Sequence, residues 1–105
     1  AIKELNQIKS DIVFNLYLKG TEYDKEEYSI FDNAKDGDLL KKDILRYLQN
    51  DSEMYIDVCG IAGDYCVLET TKNLVNSGHF NVTLILDAIA SIDDGTKITE
   101  YSKNL

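Results

Sequence analysis

Apolar residues along this chain fall into two kinds of block: short β-rich runs, and longer stretches in which they recur every three or four residues. Residues 12–18 (IVFNLYL) read as a strand that ends at Lys19 and Gly20. A polar loop follows, and a helix is expected from near Asp38, with Leu40, Ile44, Tyr47 and Leu48 at i, i+4, i+7 and i+8 on one face. Residues 54–61 (MYIDVCGI) form a second apolar run that ends in small residues. Asp64 then reads as the N-cap of an amphipathic helix over 65–77 that buries Val67, Leu68, Thr71, Leu74 and Val75. Gly78 is positioned to stop it. Residues 82–86 (VTLIL) form a third run that ends at Asp87, and Asp93, Asp94 and Gly95 open a last short helix. A weaker helix, with Ile2, Leu5 and Ile8 on one side, precedes the first strand.

Strands that alternate with helices and are apolar on both faces predict an α/β fold: a three-layer, Rossmann-like parallel sheet with helices on both faces. About three strands are read, which is few for such a sheet and leaves long open edges. Residues 1–105 are therefore expected to be a single partial domain, the C-terminal portion of a larger one. The upstream half of that domain is the expected partner, and the open edges also allow homo-oligomerisation.

The composition narrows the function. The chain is 44% hydrophobic and 29% charged, in the range of a globular domain. The net charge of −8, without a basic cluster, argues against a nucleic-acid partner. No apolar run nears the roughly 18 residues of a membrane-spanning helix. One histidine does not supply a self-contained zinc site. Cys59 and Cys66 match no common zinc or redox spacing, and reduced thiols in the cytoplasm are the simpler reading.

Cys66 carries the chemistry. It sits in the first turn of a predicted helix, just past the end of a strand, where the helix dipole and unpaired N–H groups favour thiolate over thiol. The same N–H groups can receive an oxyanion. Ligands of open α/β sheets bind at the carboxyl ends of the strands. Those ends carry Lys19, Cys66 and Asp87. A cysteine and a lysine converging there suit acyl transfer, although the residues themselves name no general base. Blander readings stand beside this one. A free cysteine is commonly a small buried hydrophobe, the reading adopted for Cys59. Asp87 could cap or orient a loop, and His79 reads as an exposed loop residue. Asp57 is an odd residue for the middle of a buried strand. Residues 28–31 (YSIF) are either a pocket wall or the hydrophobic anchor of a long loop.

The chain resembles the isochorismatase-like cysteine hydrolases, and among them most closely the nicotinamidases (pyrazinamidases). The resemblance rests on GIAGDYCV at 60–67, on LKGT at 18–21 followed by YSIF at 28–31, and on LDA at 86–88 followed by ASIDDG at 90–95. It implies Cys66 as nucleophile, Lys19 as catalytic lysine, and the backbone N–H groups of Ala62 and Cys66 as oxyanion hole. It also implies a cis peptide between Ile61 and Ala62, with Tyr28 and Tyr65 lining an aromatic substrate pocket. The implied reaction hydrolyses nicotinamide to nicotinate and ammonia through a thioester, in NAD metabolism. The family's catalytic aspartate and the ligands of its divalent metal (zinc or similar) lie upstream of the catalytic lysine and have no counterpart here. The chain alone is thus expected to be inactive and to hold no metal. Gly63 departs from the threonine or small polar residue usual in nicotinamidases, which should loosen the turn. Two alternatives remain: another small-amide hydrolase of this family, or a non-catalytic α/β binding module.

Overall fold

The computed structural model describes residues 14–49 and 53–105. Their elements, in chain order, are a 3-10 turn at Ile30–Asp32, helix α1 (Asp36–Gln49), strand β1 (Tyr55–Ile61), helix α2 (Cys66–Asn76), strand β2 (Asn81–Ala90) and helix α3 (Thr96–Ser102). The predicted helix over Ile2, Leu5 and Ile8 lies outside the described residues.

The fold is α/β, as expected. β1, α2 and β2 make one βαβ unit whose strands pair in parallel, with Tyr55 opposite Asn81 and Val58 opposite Leu84. The register then jumps: β1 advances from Val58 to Gly60 while β2 advances from Leu84 to Ile89. This irregularity lets β2 run to Ala90, four residues past the predicted end. Asp87 therefore lies inside β2, exposed, and not at a strand end. The expected first strand is not formed in its described part, residues 14–18, so the sheet among the described residues has two strands. That segment is held instead by side chains of α1. Tyr17 donates its hydroxyl to Asp43, whose carboxylate pushes the phenol up to about 12.

The core lies on one face of the sheet. Val67, Leu68 and Ile98 are buried together, with Val58, Leu84, Ile89 and Tyr101 packed around them. Four of the five residues predicted to be buried by α2 are so, and Val75 is half-buried. Gly78 follows the helix at φ +75°, a left-handed conformation that costs glycine little. In α1, Leu40, Ile44 and Leu48 are half-buried while Tyr47 is exposed.

The opposite sheet face is open, contrary to the two-sided burial read from the apolar runs. Tyr55 and Ile61 are 71% and 75% exposed, and Asp57 and Cys59 stand between them. Side chains of a strand alternate between faces, so Asp57 points out with Tyr55 and Cys59, and the oddity of a buried aspartate disappears. Cys59 is exposed too, not the small buried hydrophobe expected of it.

Candidate active site

The site is built where β1 gives way to α2. A cis peptide joins Ile61 to Ala62, as the resemblance implied. The Ala62 carbonyl accepts from the N–H groups of Tyr65 at 3.1 Å and Val67 at 2.9 Å, which folds the turn back on the helix start. Cys66 is the first residue of α2 and is half-buried. First-turn N–H groups have no partner within their helix, so the Cys66 N–H belongs to the unpaired set at this terminus.

Asp64 does not cap α2. The cap position is Tyr65, which makes no side-chain cap bond. Asp64 is buried and reaches across to the loop after β2, where its two carboxylate oxygens accept from the N–H of Ile92 at 3.0 Å and of Asp93 at 3.1 Å. Burial alone would raise this carboxyl. The Ile92 and Asp93 donors, with Lys97 nearby, outweigh it and hold Asp64 below its ordinary value. The turn is thereby tied to the end of β2 by side chain as well as backbone, since Gly63 donates its N–H to Ala90 at 2.8 Å.

Gly63 tightens this turn, where the sequence suggested loosening. A Cβ at this position would stand 2.3 Å from Ser91 Oγ and 2.7 Å from the Ile89 methyl. The strand–turn–loop contact is close because nothing but hydrogen projects from residue 63.

Lys19 comes to Cys66 from a separate part of the chain. Its Nζ donates to Cys66 Sγ at 3.3 Å and to the Glu27 carbonyl at 3.2 Å. An ammonium at this distance favours negative charge on the sulfur and on an oxyanion formed beside it. Asp87, expected at the same edge, makes no hydrogen bond or ion pair with either residue among the described residues. The longer course of β2 accounts for that.

Tyr28 and Tyr65 stack with ring centroids 5.3 Å apart, within the range of a favourable aromatic pair, next to the Cys66–Lys19 contact. Both are partly exposed, at 38% and 37%. The Glu26 carboxylate beside Tyr28 raises its hydroxyl, and burial adds to the effect. Lys97 Nζ lies 5.4 Å from the centre of the Tyr65 ring, a cation–π distance. Sequence reasoning did not single out Lys97, Asp64 as a tether, Glu27 or Ser29.

Ser29 settles how the YSIF segment is held. It is almost fully buried, at 1% exposure, and its hydroxyl donates to Asn73 Oδ1 of α2 at 2.6 Å. It also accepts from the Phe31 N–H at 3.1 Å, while Asp32 accepts from the Ser29 N–H, a reciprocal capping box. The Ile30 N–H reaches Thr70 Oγ1 at 3.2 Å. The loop's anchor on α2 is thus polar, and Tyr28 projects from it over Tyr65. The Ser-x-x-Asp spacing at 29–32 was the available signal.

Among the described residues no group of three or more His, Cys, Asp or Glu side chains is placed to hold a metal ion. The donors described here do not fit the divalent metal that the resemblance implies. No helix among them is long and apolar enough to cross a membrane.

The isochorismatase-domain family model matches residues 3–102. No curated protein and no solved structure matches the chain.

Proposed function

The chain belongs to the isochorismatase-domain family of hydrolases, and within it we propose that Cys66 is the nucleophile of an amidase converting nicotinamide to nicotinate and ammonia. The observation that carries this reading is the Lys19 ammonium 3.3 Å from a thiol in the first turn of α2. Cys66 Sγ gives up its proton to a general base and attacks the amide carbon. The N–H groups of Ala62 and Cys66 receive the developing oxyanion, and Lys19 stabilises the negative charge beside it. The C–N bond breaks as the base returns its proton to the leaving nitrogen, which departs as ammonia. Water, deprotonated by the same base, attacks the thioester carbon. The C–S bond breaks, nicotinate leaves and Sγ regains a proton. The stacked Tyr28 and Tyr65 offer an aromatic wall for the pyridine ring.

We propose further that residues 1–105 are the C-terminal part of a larger domain, whose preceding half supplies the base, an aspartate, and the ligands of a divalent metal. Both cysteines are free, which fits a reducing compartment, and the proposed location is the cytoplasm.

Lys97 favours a second reading. A cation against the Tyr65 ring suits a small amide that also bears a carboxylate, so another amidase of the family stands as the alternative. Ammonia release from nicotinamide and from carboxylate-bearing amides by the full-length protein separates the two. Release from nicotinamide, abolished in Cys66→Ala, is the expected result. Turnover only of acidic amides overturns the nicotinamide assignment. The 105-residue chain by itself is expected to release none.

A further inference from the structure

We propose that Glu27 is the positioning residue of Lys19, holding it against Cys66 through both its carboxylate and its backbone carbonyl. The inference rests on the reading of Cys66 and Lys19 as a working pair. It starts from a structural difference: Lys19 follows a segment that forms no strand, so no sheet ladder fixes its backbone. Polar side chains supply what the ladder does not. Glu27 Oε1 accepts from the Gly20 N–H at 2.8 Å, and Asp36 Oδ2 accepts from the Leu18 N–H at 2.5 Å. The backbone N–H groups of the residues on both sides of Lys19 are therefore gripped by carboxylates. At the other end of the side chain, the Glu27 carbonyl and Cys66 Sγ share the ammonium.

The grip has a fixed point. Glu27 Oε1 also accepts from Asn33 Nδ2 at 3.1 Å, and Asn33 is buried. Its Oδ1 in turn accepts from the N–H groups of Lys35 at 3.1 Å and Asp36 at 2.8 Å, at the start of α1. Lys19 is thus referenced to α1 through Glu27 and Asn33, and to α2 through Cys66. The Gly20 N–H, then the Asn33 amide, hold the Glu27 carboxyl below its ordinary value, so it stays an acceptor across the neutral range. A lysine stem has four rotatable bonds, and an ammonium aimed at one sulfur needs such support to stay aimed.

Two conservative variants of the full-length protein separate reach from charge. Glu27→Gln keeps an oxygen at the same reach for both Gly20 and Asn33. Glu27→Asp keeps the charge but falls one methylene short. The readouts are the rate of iodoacetamide alkylation of Cys66 across pH, the kcat and KM for nicotinamide, and the thermal melt. Positioning predicts that Glu27→Asp slows alkylation near pH 7 and lowers kcat by about tenfold with a smaller change in KM, as misplacement of a reacting group does. Glu27→Gln then stays within about threefold of wild type in both, and both variants melt as wild type does. An unchanged pH–rate profile and kcat in Glu27→Asp overturns the proposal, as does the reverse order of the two variants. Alkylation needs no substrate. If wild type releases no ammonia from nicotinamide while Glu27→Asp still slows alkylation, the substrate assignment fails and the positioning role stands. If Lys19→Met leaves alkylation unchanged, the pair itself fails, and this inference with it.

Discussion

Cys66 and Lys19 meet at 3.3 Å, yet the two halves of that contact are held by different means. The cysteine stands chiefly on backbone, with the Asp64 carboxylate added: a parallel strand, a turn closed by main-chain bonds to Ala62 and Ala90, and the first turn of a helix whose inner face is buried. The lysine stands on side chains, namely Glu27, Asp36 and Asn33, in a segment with no ladder of its own. Substitutions near Cys66 should therefore register as lost stability. Those near Lys19 should register as lost aim with little loss of stability. On the proposed roles, the fold itself sets the trajectory of the nucleophile, and a set of polar side chains sets the aim of the lysine.

The sharpest way to break the comparison is at the two residues themselves. Cys66→Ala in the full-length protein should cost about a thousandfold or more in amide hydrolysis, measured as ammonia release, because it removes the proposed acyl-forming thiol. Lys19→Met should cost about a hundredfold, as loss of one preorganised charge-stabilising group typically does. Its melting temperature should stay near wild type. Next comes the backbone half. Gly63→Val forces a side chain into the space held by Ser91 and Ile89 and should destabilise the fold by about 1–3 kcal/mol in a denaturant titration. A Gly63→Val protein as stable as wild type would show that the turn is not close-packed.

The smallest effects belong to the tethers. Asp64→Ala leaves the Ile92 and Asp93 N–H groups without their acceptor and should lower the melting temperature more than Asp64→Asn, which retains one oxygen. Both Asp64 and Glu27 titrate below their ordinary values of 3.8 and 4.5. A depressed carboxyl contributes stability in full above its unfolded value and loses it as pH falls through its lower folded value. The melting temperature should thus be flat near neutrality and fall in acid below about pH 4, with a shallower fall in Asp64→Asn. An equal slope in that variant would remove Asp64 from the tethers.

Much of this arrangement was legible in the sequence. The run into Cys66 and the periodicity after it located β1 and α2 to within a residue or two, because strand and helix periods there do not compete. The pairing of Lys19 with Cys66 followed from strand-end logic and family likeness, although Lys19 arrives without a strand. What escaped were long-range polar contacts. Asp64 reads in the sequence as a cap, and sequence cannot say that the cap falls at Tyr65 while the Asp64 carboxylate crosses to Ile92 and Asp93. The two-faced apolar run of β1 read as buried on both sides, while its Tyr55, Cys59 and Ile61 face lies open. Apolar composition reports what a strand tolerates, and burial also needs a layer to cover it. The register jump that carries Asp87 into β2 has no local signature in residues 84–89.

The most direct test of the central assignment is the alkylation rate of Cys66 in the full-length protein, read by intact mass and peptide mapping with iodoacetamide near pH 7, for wild type and Lys19→Met. A nucleophile stabilised by Lys19 predicts rapid modification at Cys66, slowed about tenfold in Lys19→Met, the scale of one lost close charge contact at a partly exposed site. Modification of Cys66 at the same rate in both proteins would contradict it.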